Sequence, residues 1–190
     1  MIVLVTGPVR SGKSTHAARV ARDFGAPVTH VLTARVDPTD PEMSDRIARH
    51  RRDRGGEPAV ELWQPDGPDL PAIIGAAAPQ TTLLVDSLGT WSAGHLLDLE
   101  ALAEHDPLAA FARLEALTDP LIGQLRTARA NVILVGEEAG WGLVPVTAQG
   151  RIFRDHLGRL TRRVGQCAAR VELVVAGFAL DLRSCGVPVT

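Results

Sequence analysis

Residues 7–14 read Gly-Pro-Val-Arg-Ser-Gly-Lys-Ser, between the apolar run Ile2-Val3-Leu4-Val5 and a helical stretch opening His16-Ala17-Ala18-Arg19-Val20. Strand, glycine-rich turn and helix in that order, spelling G-x-x-x-x-G-K-S, restrict the chain more than any other feature it carries. Gly7 and Gly12 let the backbone curl so that successive N–H groups point into one concavity able to meet phosphate oxygens. Pro8, Val9, Arg10 and Ser11 form the turn, and Thr15 carries it into the first helical turn. The helix opening at Lys13 adds its positive dipole end. Lys13 is placed to reach the β- and γ-phosphates, and the Ser14 hydroxyl to ligate Mg²⁺. A nucleoside triphosphate site is implied, on an α/β fold of the P-loop NTPase class.

Downstream, short β-branched runs alternate with helical patterns, which predicts a mainly parallel sheet with helices on both faces. Strands are expected at 2–5, 28–34, 60–63, 81–86, 131–135 and 171–176, and helices at 13–24, 41–54, 69–78 and 151–170. Residues 107–129 read as one long amphipathic helix, bent at Asp119-Pro120. Phe178–Arg183 is expected to pair back as an antiparallel edge, and 87–105 has no legible pattern. No repeat, low-complexity tract or linker interrupts the chain, so residues 1–190 are expected to form a single nucleotide-binding domain.

Asp86 ends the apolar strand Thr82-Leu83-Leu84-Val85. In open α/β sheets ligands sit beyond the carboxyl ends of the strands, where an acid can act on the metal or on an acceptor hydroxyl. An Asp at that point can also simply cap the next turn. Glu137 and Glu138, adjacent acids directly after another core strand, suit metal or hydroxyl binding. Trp141 is a loop anchor or a platform for a large ligand. His16 and His30 fit surface or capping roles, while His95, His105 and His156 lack supporting context. On a helix, His50 faces Arg46 and Arg54 at i−4 and i+4. Two guanidiniums disfavour protonation of the ring, which leaves a neutral nitrogen as a nucleophile, and can themselves hold phosphate. An Arg-rich helix with one His is also commonly a solvated face.

A net charge of −2, with 22% charged and 45% hydrophobic residues, gives no electrostatic case for a nucleic-acid partner. Cys167 and Cys185 stand far apart, without metal-ligand spacing, and suggest a reducing compartment. With no apolar run of about 20 residues and no basic leader, the expectation is a cytoplasmic protein without a membrane-spanning segment.

Several blocks in order carry a family likeness: Gly7–Ser14, Asp40-Pro41-Glu42-Met43 leading to Arg46-Ile47 and His50-Arg51, and Leu84-Val85-Asp86. Glu138-x-Gly-Trp-Gly-Leu-Val-Pro, Phe153-Arg154-Asp155-x-Leu-Gly-Arg-Leu and Leu173-Val174-Val175-Ala176-Gly177 follow. The chain resembles, over essentially its whole length, the bifunctional adenosylcobinamide kinase / adenosylcobinamide-phosphate guanylyltransferase of cobalamin biosynthesis. The resemblance implies a RecA-like P-loop core and a homo-oligomer, typically a trimer. It implies ATP and GTP as substrates with Mg²⁺, and adenosylcobinamide and adenosylcobinamide phosphate as acceptors. His50 matches the family histidine that carries GMP, with Arg46, Arg51 and Arg54 beside it as nucleotide ligands; Lys13 and Asp86 serve the kinase step, and Ser14 and Asp86 the metal. The family pattern usually has Asn at Glu137, Glu-Asn at Val146-Thr147, Asn at Thr161, and Asp-Cys-Leu-Thr where Asp86-Ser87-Leu88-Gly89 stand. Two rival readings are a P-loop kinase for another small hydroxylated substrate, with His50 structural, and a nucleotide-dependent regulatory ATPase acting on a protein partner.

Overall fold

β1 (Ile2–Gly7) is buried along its whole length, as an apolar run between two parallel neighbours must be. The computed structural model describes residues 1–35, 57–64 and 67–189. The other strands are β2 (Val28–Leu32), β3 (Ala59–Glu61), β4 (Thr82–Asp86), β5 (Asn131–Glu137), β6 (Arg170–Val175) and β7 (Phe178–Asp181). They form one seven-stranded sheet in the order β3-β2-β4-β5-β1-β6-β7. Every pairing is parallel except β6 with β7, which turns back antiparallel as expected.

Alternate residues of the central strands face opposite sides. Val3, Val5, Leu84, Ile133 and Val135 meet Ala17, Val20 and Ala21 of α1 (Lys13–Asp23) on one face. Ile2, Leu4, Leu83, Val85, Val132 and Leu134 face the larger helical layer. That layer contains α2 (Leu70–Ala76), α3 (Leu88–Asp98), α6 (Thr118–Thr127) and α7 (Ala148–Cys167). Two further helices, α4 (Glu100–His105) and α5 (Pro107–Ala116), help build a smaller cluster of Leu96, Ala103, Ala110, Leu114 and Ile152. The short α8 (Leu182–Cys185) follows β7. The expected parallel sheet with helices on both faces is therefore present.

Local chemistry explains where elements differ from expectation. Residues 87–105 form α3 and α4, and α3 begins in a capping box in which Ser87 accepts from Thr90 N–H and Thr90 bonds back. Leu88, Trp91 and Leu96 alternate with buried Gly89, Ser92 and Gly94, so α3 lacks the polar stripe that makes a helix legible. The long helix expected over 107–129 is two helices that meet at Leu117, not at Asp119-Pro120. Proline fits the first turn of a helix but clashes with the carbonyl four residues before it, which here is Ala116, the last residue of α5. β2 stops at Leu32 instead of Ala34, whereas β5 runs on to Glu137. α7 starts at Ala148 because Thr147 caps it, accepting from Gly150 N–H at 3.1 Å. The expected helix over 41–54 lies outside the described residues.

One polar cluster crosses the helical layer. His156 of α7 is fully buried, with Nδ1 at 2.8 Å from Ser92 Oγ of α3 and Nε2 at 3.2 Å from Thr118 Oγ1 of α6. Glu115 Oε1 stands 4.0 Å from Nε2. Burial, reinforced by the positive charge of nearby His95, lowers the imidazole pKa to about 4. The unfolded chain binds this proton near 6.5 and the folded chain only near 4. The contribution is therefore complete above pH 6.5 and declines as the pH falls, by about 3 kcal/mol once it is below 4. Urea unfolding at a series of pH values should show this loss in the wild type and a flatter profile in His156→Gln. Equal slopes in the two proteins would refute it.

Candidate functional site

The phosphate loop leaves β1 at Gly7, where a Cβ would stand 2.2 Å from the carbonyl oxygen of Val174 in β6. Only glycine lets the loop pass so close. Gly12 has φ 94°, the left-handed region, and is the residue from which α1 starts. Ser11 N–H donates to Pro8 O at 3.3 Å, and His16 N–H to Gly12 O at 2.9 Å. Lys13 is buried to 8% exposure, and its Nζ donates to Pro8 O at 3.4 Å. Ser11 Oγ is buried without a hydrogen-bond partner among the described residues, so this hydroxyl is available to a phosphate oxygen. Ser14 is half-buried, and Val9, Arg10 and Thr15 are exposed along the loop.

Three acids flank the loop at the carboxyl edge of the sheet. Asp86 ends β4 in register with Val135 of β5, and Glu137 ends β5 in register with Gly7. Glu138 N–H donates to Gly7 O at 3.1 Å, while Thr6 Oγ1 donates to Glu138 Oε1 at 2.7 Å. Ser87 Oγ donates to Glu137 Oε1 in a short hydrogen bond, and Gly89 N–H to Glu137 Oε2 at 2.9 Å. Burial raises the Glu137 pKa; the Ser87 hydrogen bond and the Lys13 charge oppose this, and the Asp86 charge adds to it. Glu137 is thus within electrostatic reach of both Lys13 and Asp86.

The expected phosphate-loop residues, Gly7 to Thr15, therefore come together with Asp86 and the Glu137-Glu138 pair. His50, Arg46, Arg51 and Arg54 lie outside the described residues. His16 and His30 do not have simple surface roles: each is bonded to a carboxylate. His16 Nε2 is 2.5 Å from buried Glu172, which ties α1 to β6, and His30 Nε2 is 2.6 Å from Glu57. Trp141 is 60% exposed in the turn Ala139–Trp141, so it is not an anchor buried in this chain. Thr161 Oγ1 is buried without a partner among the described residues. Thr6 is a further site neighbour that the sequence does not point to, while Ser87 and Gly89, noted in the sequence as departures from the family pattern, prove to bond Glu137.

Mg²⁺ prefers a few hard oxygens and leaves its remaining positions to phosphate and water. The Ser14 hydroxyl and the Asp86 carboxylate are donors of that kind. Among the described residues no group of three or more His, Cys, Asp or Glu could hold a metal ion. A hydroxyl and a carboxylate fit an ion bound chiefly by a nucleotide.

The family described as cobinamide kinase / cobinamide phosphate guanyltransferase matches residues 3–182. The chain belongs to this family. It is 34% identical over 194 residues to the bifunctional adenosylcobalamin biosynthesis protein CobU of Salmonella typhimurium, covering 96% of this chain and 100% of that protein. The Escherichia coli protein of the same name is 33% identical over 188 residues, at 96% and 100% coverage. The bifunctional adenosylcobalamin biosynthesis protein CobP of Pseudomonas aeruginosa is 34% identical over 181 residues, at 95% and 96%. No helix among the described residues of this family member is long and apolar enough to cross a membrane.

Two substitutions test the site. Lys13→Ala should weaken nucleotide binding and slow phosphoryl transfer by on the order of 10²-fold, with the melting temperature unchanged. Titration calorimetry and circular dichroism read the two effects, and near-normal nucleotide affinity would remove the phosphate-loop assignment. Asp86→Asn should lower Mg²⁺-dependent turnover more than nucleotide affinity. Equal losses accompanied by a lower melting temperature would make Asp86 a capping residue instead.

Proposed function

We propose that this protein phosphorylates the aminopropanol hydroxyl of adenosylcobinamide with a nucleoside triphosphate, and then transfers GMP from GTP to the new phosphate through a guanylyl-histidine at His50. The reading rests on one observation above all. In a family member matched over nearly its full length, Lys13 and an orphan Ser11 hydroxyl sit in a close-packed phosphate loop, with Asp86 and two glutamates on the same sheet edge.

In the kinase step the loop N–H groups and Lys13 stabilise charge on the transferred phosphoryl group, a pre-organised electrostatic effect. Asp86 orients the acceptor hydroxyl or takes its proton. Ser14 and Asp86 would hold Mg²⁺, which when bound neutralises charge on the triphosphate. In the guanylyl step a neutral ring nitrogen of His50 attacks the α-phosphorus of GTP, forming an N–P bond as the bond to pyrophosphate breaks. An oxygen of adenosylcobinamide phosphate then attacks the same phosphorus, and the N–P bond breaks to return free His50. Splitting the transfer lets one histidine serve as leaving group as well as nucleophile.

Assembly into a homo-oligomer, a trimer by family likeness, belongs to the same proposal. Leu143, Val144, Val146, Phe178 and Leu180 are all at least half exposed and offer apolar side chains that a subunit contact could cover.

Incubation with α-labelled GTP and denaturing electrophoresis test the function. The wild type should take up an acid-labile label and His50→Ala none, while His50→Ala keeps most of its phosphorylation of cobinamide. A labelled His50→Ala protein would sink the assignment. Equal loss of both activities would make His50 a binding or structural residue.

A further inference from the structure

We propose that Glu137 is a positioning residue, a strut that holds the start of α3 and the Asp86 strand end at a fixed separation from the phosphate loop. Its place in the sheet suits that task. β5 lies between β4 and β1, so its last residue stands between the acid that ends β4 and the loop that leaves β1. On the β1 side its backbone is in register with Gly7, and the next N–H, that of Glu138, donates to Gly7 O at 3.1 Å. On the β4 side its carboxylate accepts from Ser87 Oγ and from Gly89 N–H at 2.9 Å. Both oxygens are thereby bonded to residues within three positions of Asp86, Oε1 to Ser87 and Oε2 to Gly89, at a helix N-terminus where an anion is favoured.

Gly89 supports the reading independently. A Cβ at this position would stand 2.3 Å from Glu137 Oε2 and 2.8 Å from Cδ. Glycine is disfavoured inside a helix, and Gly89 is not among the residues of positive φ, so its backbone does not call for one. It provides the space that the carboxylate occupies. Charge joins the same groups, because Glu137 interacts with Lys13 on one side and with Asp86 on the other. The strut thus sets the geometry in which a phosphate bound by the loop meets the acid, and a displacement of about 1 Å there is worth up to about 10²-fold in rate.

The proposal rests on phosphoryl transfer at this loop, as proposed above, and four variants test it. Glu137→Ala should lower kcat for cobinamide phosphorylation by roughly 10- to 100-fold while the nucleotide KM changes little. Glu137→Gln should recover most of that loss, because an amide can accept from Gly89 N–H and donate to Ser87 Oγ. Gly89→Ala should lower kcat when Glu137 is intact and have no further effect in the Glu137→Ala background. An unaffected Glu137→Ala, a Glu137→Gln as slow as Glu137→Ala, or a Gly89→Ala equally harmful in both backgrounds would each overturn the strut. A wild-type protein that does not phosphorylate cobinamide would count against the proposed function alone. The strut would then be read from melting temperatures, where Gly89→Ala should lower Tm only beside an intact Glu137.

Discussion

The passage of Gly7 under the Val174 carbonyl sets what the rest of the structure must do. A contact that would place a Cβ at 2.2 Å needs β6 held firmly against β1, and the four-residue parallel register between them, with the His16–Glu172 bond from α1, supplies that. Gly12, at φ 94°, then turns the backbone into α1. The loop is therefore a shape imposed by two strands and a helix.

Polarity along the sheet follows from the same arrangement. Because β1, β4 and β5 are parallel, their carboxyl ends lie on one edge, and Gly7, Asp86 and Glu137 come together there although far apart in sequence. Negative charge on three acids faces one largely buried lysine. Bonds within the protein hold both glutamates: Glu138 accepts from Thr6, and Glu137 from Ser87 and Gly89. These bonds fix where the two glutamate side chains stand at the sheet edge.

The phosphate loop and the alternating strands were legible because each depends on local spacing: two glycines at fixed offsets, and apolar runs bounded by turns. Asp86 was legible as an acid that ends such a run. α3 was not, since a helix buried on several sides has no polar stripe, and the break at Leu117 depended on which carbonyl the Pro120 ring would strike. The bonds from Glu137 to Ser87 and Gly89 span some fifty residues and leave no periodicity at all. Positions 89 and 137, noted separately in the sequence as departures from the family pattern, prove to touch: the absent side chain at one makes room for the longer acid at the other. The block around His50 was legible only as family likeness, and it falls outside the described residues.

The strand order also carries a consequence for the time at which the site can exist. β1 leaves the ribosome before the other six strands of the sheet, yet its neighbours are β5 and β6, at residues 131–137 and 170–175. Until those late segments are made, an apolar strand and its glycine-rich turn have no partner on either side. β2 and β4 can pair sooner, since they are closer in sequence, but β1 must wait for contacts of high sequence separation, the kind that close slowly. A nascent chain therefore exposes β1 until residues 131–175 have been made, and acquires its phosphate loop only after β5 and β6 can pair with it.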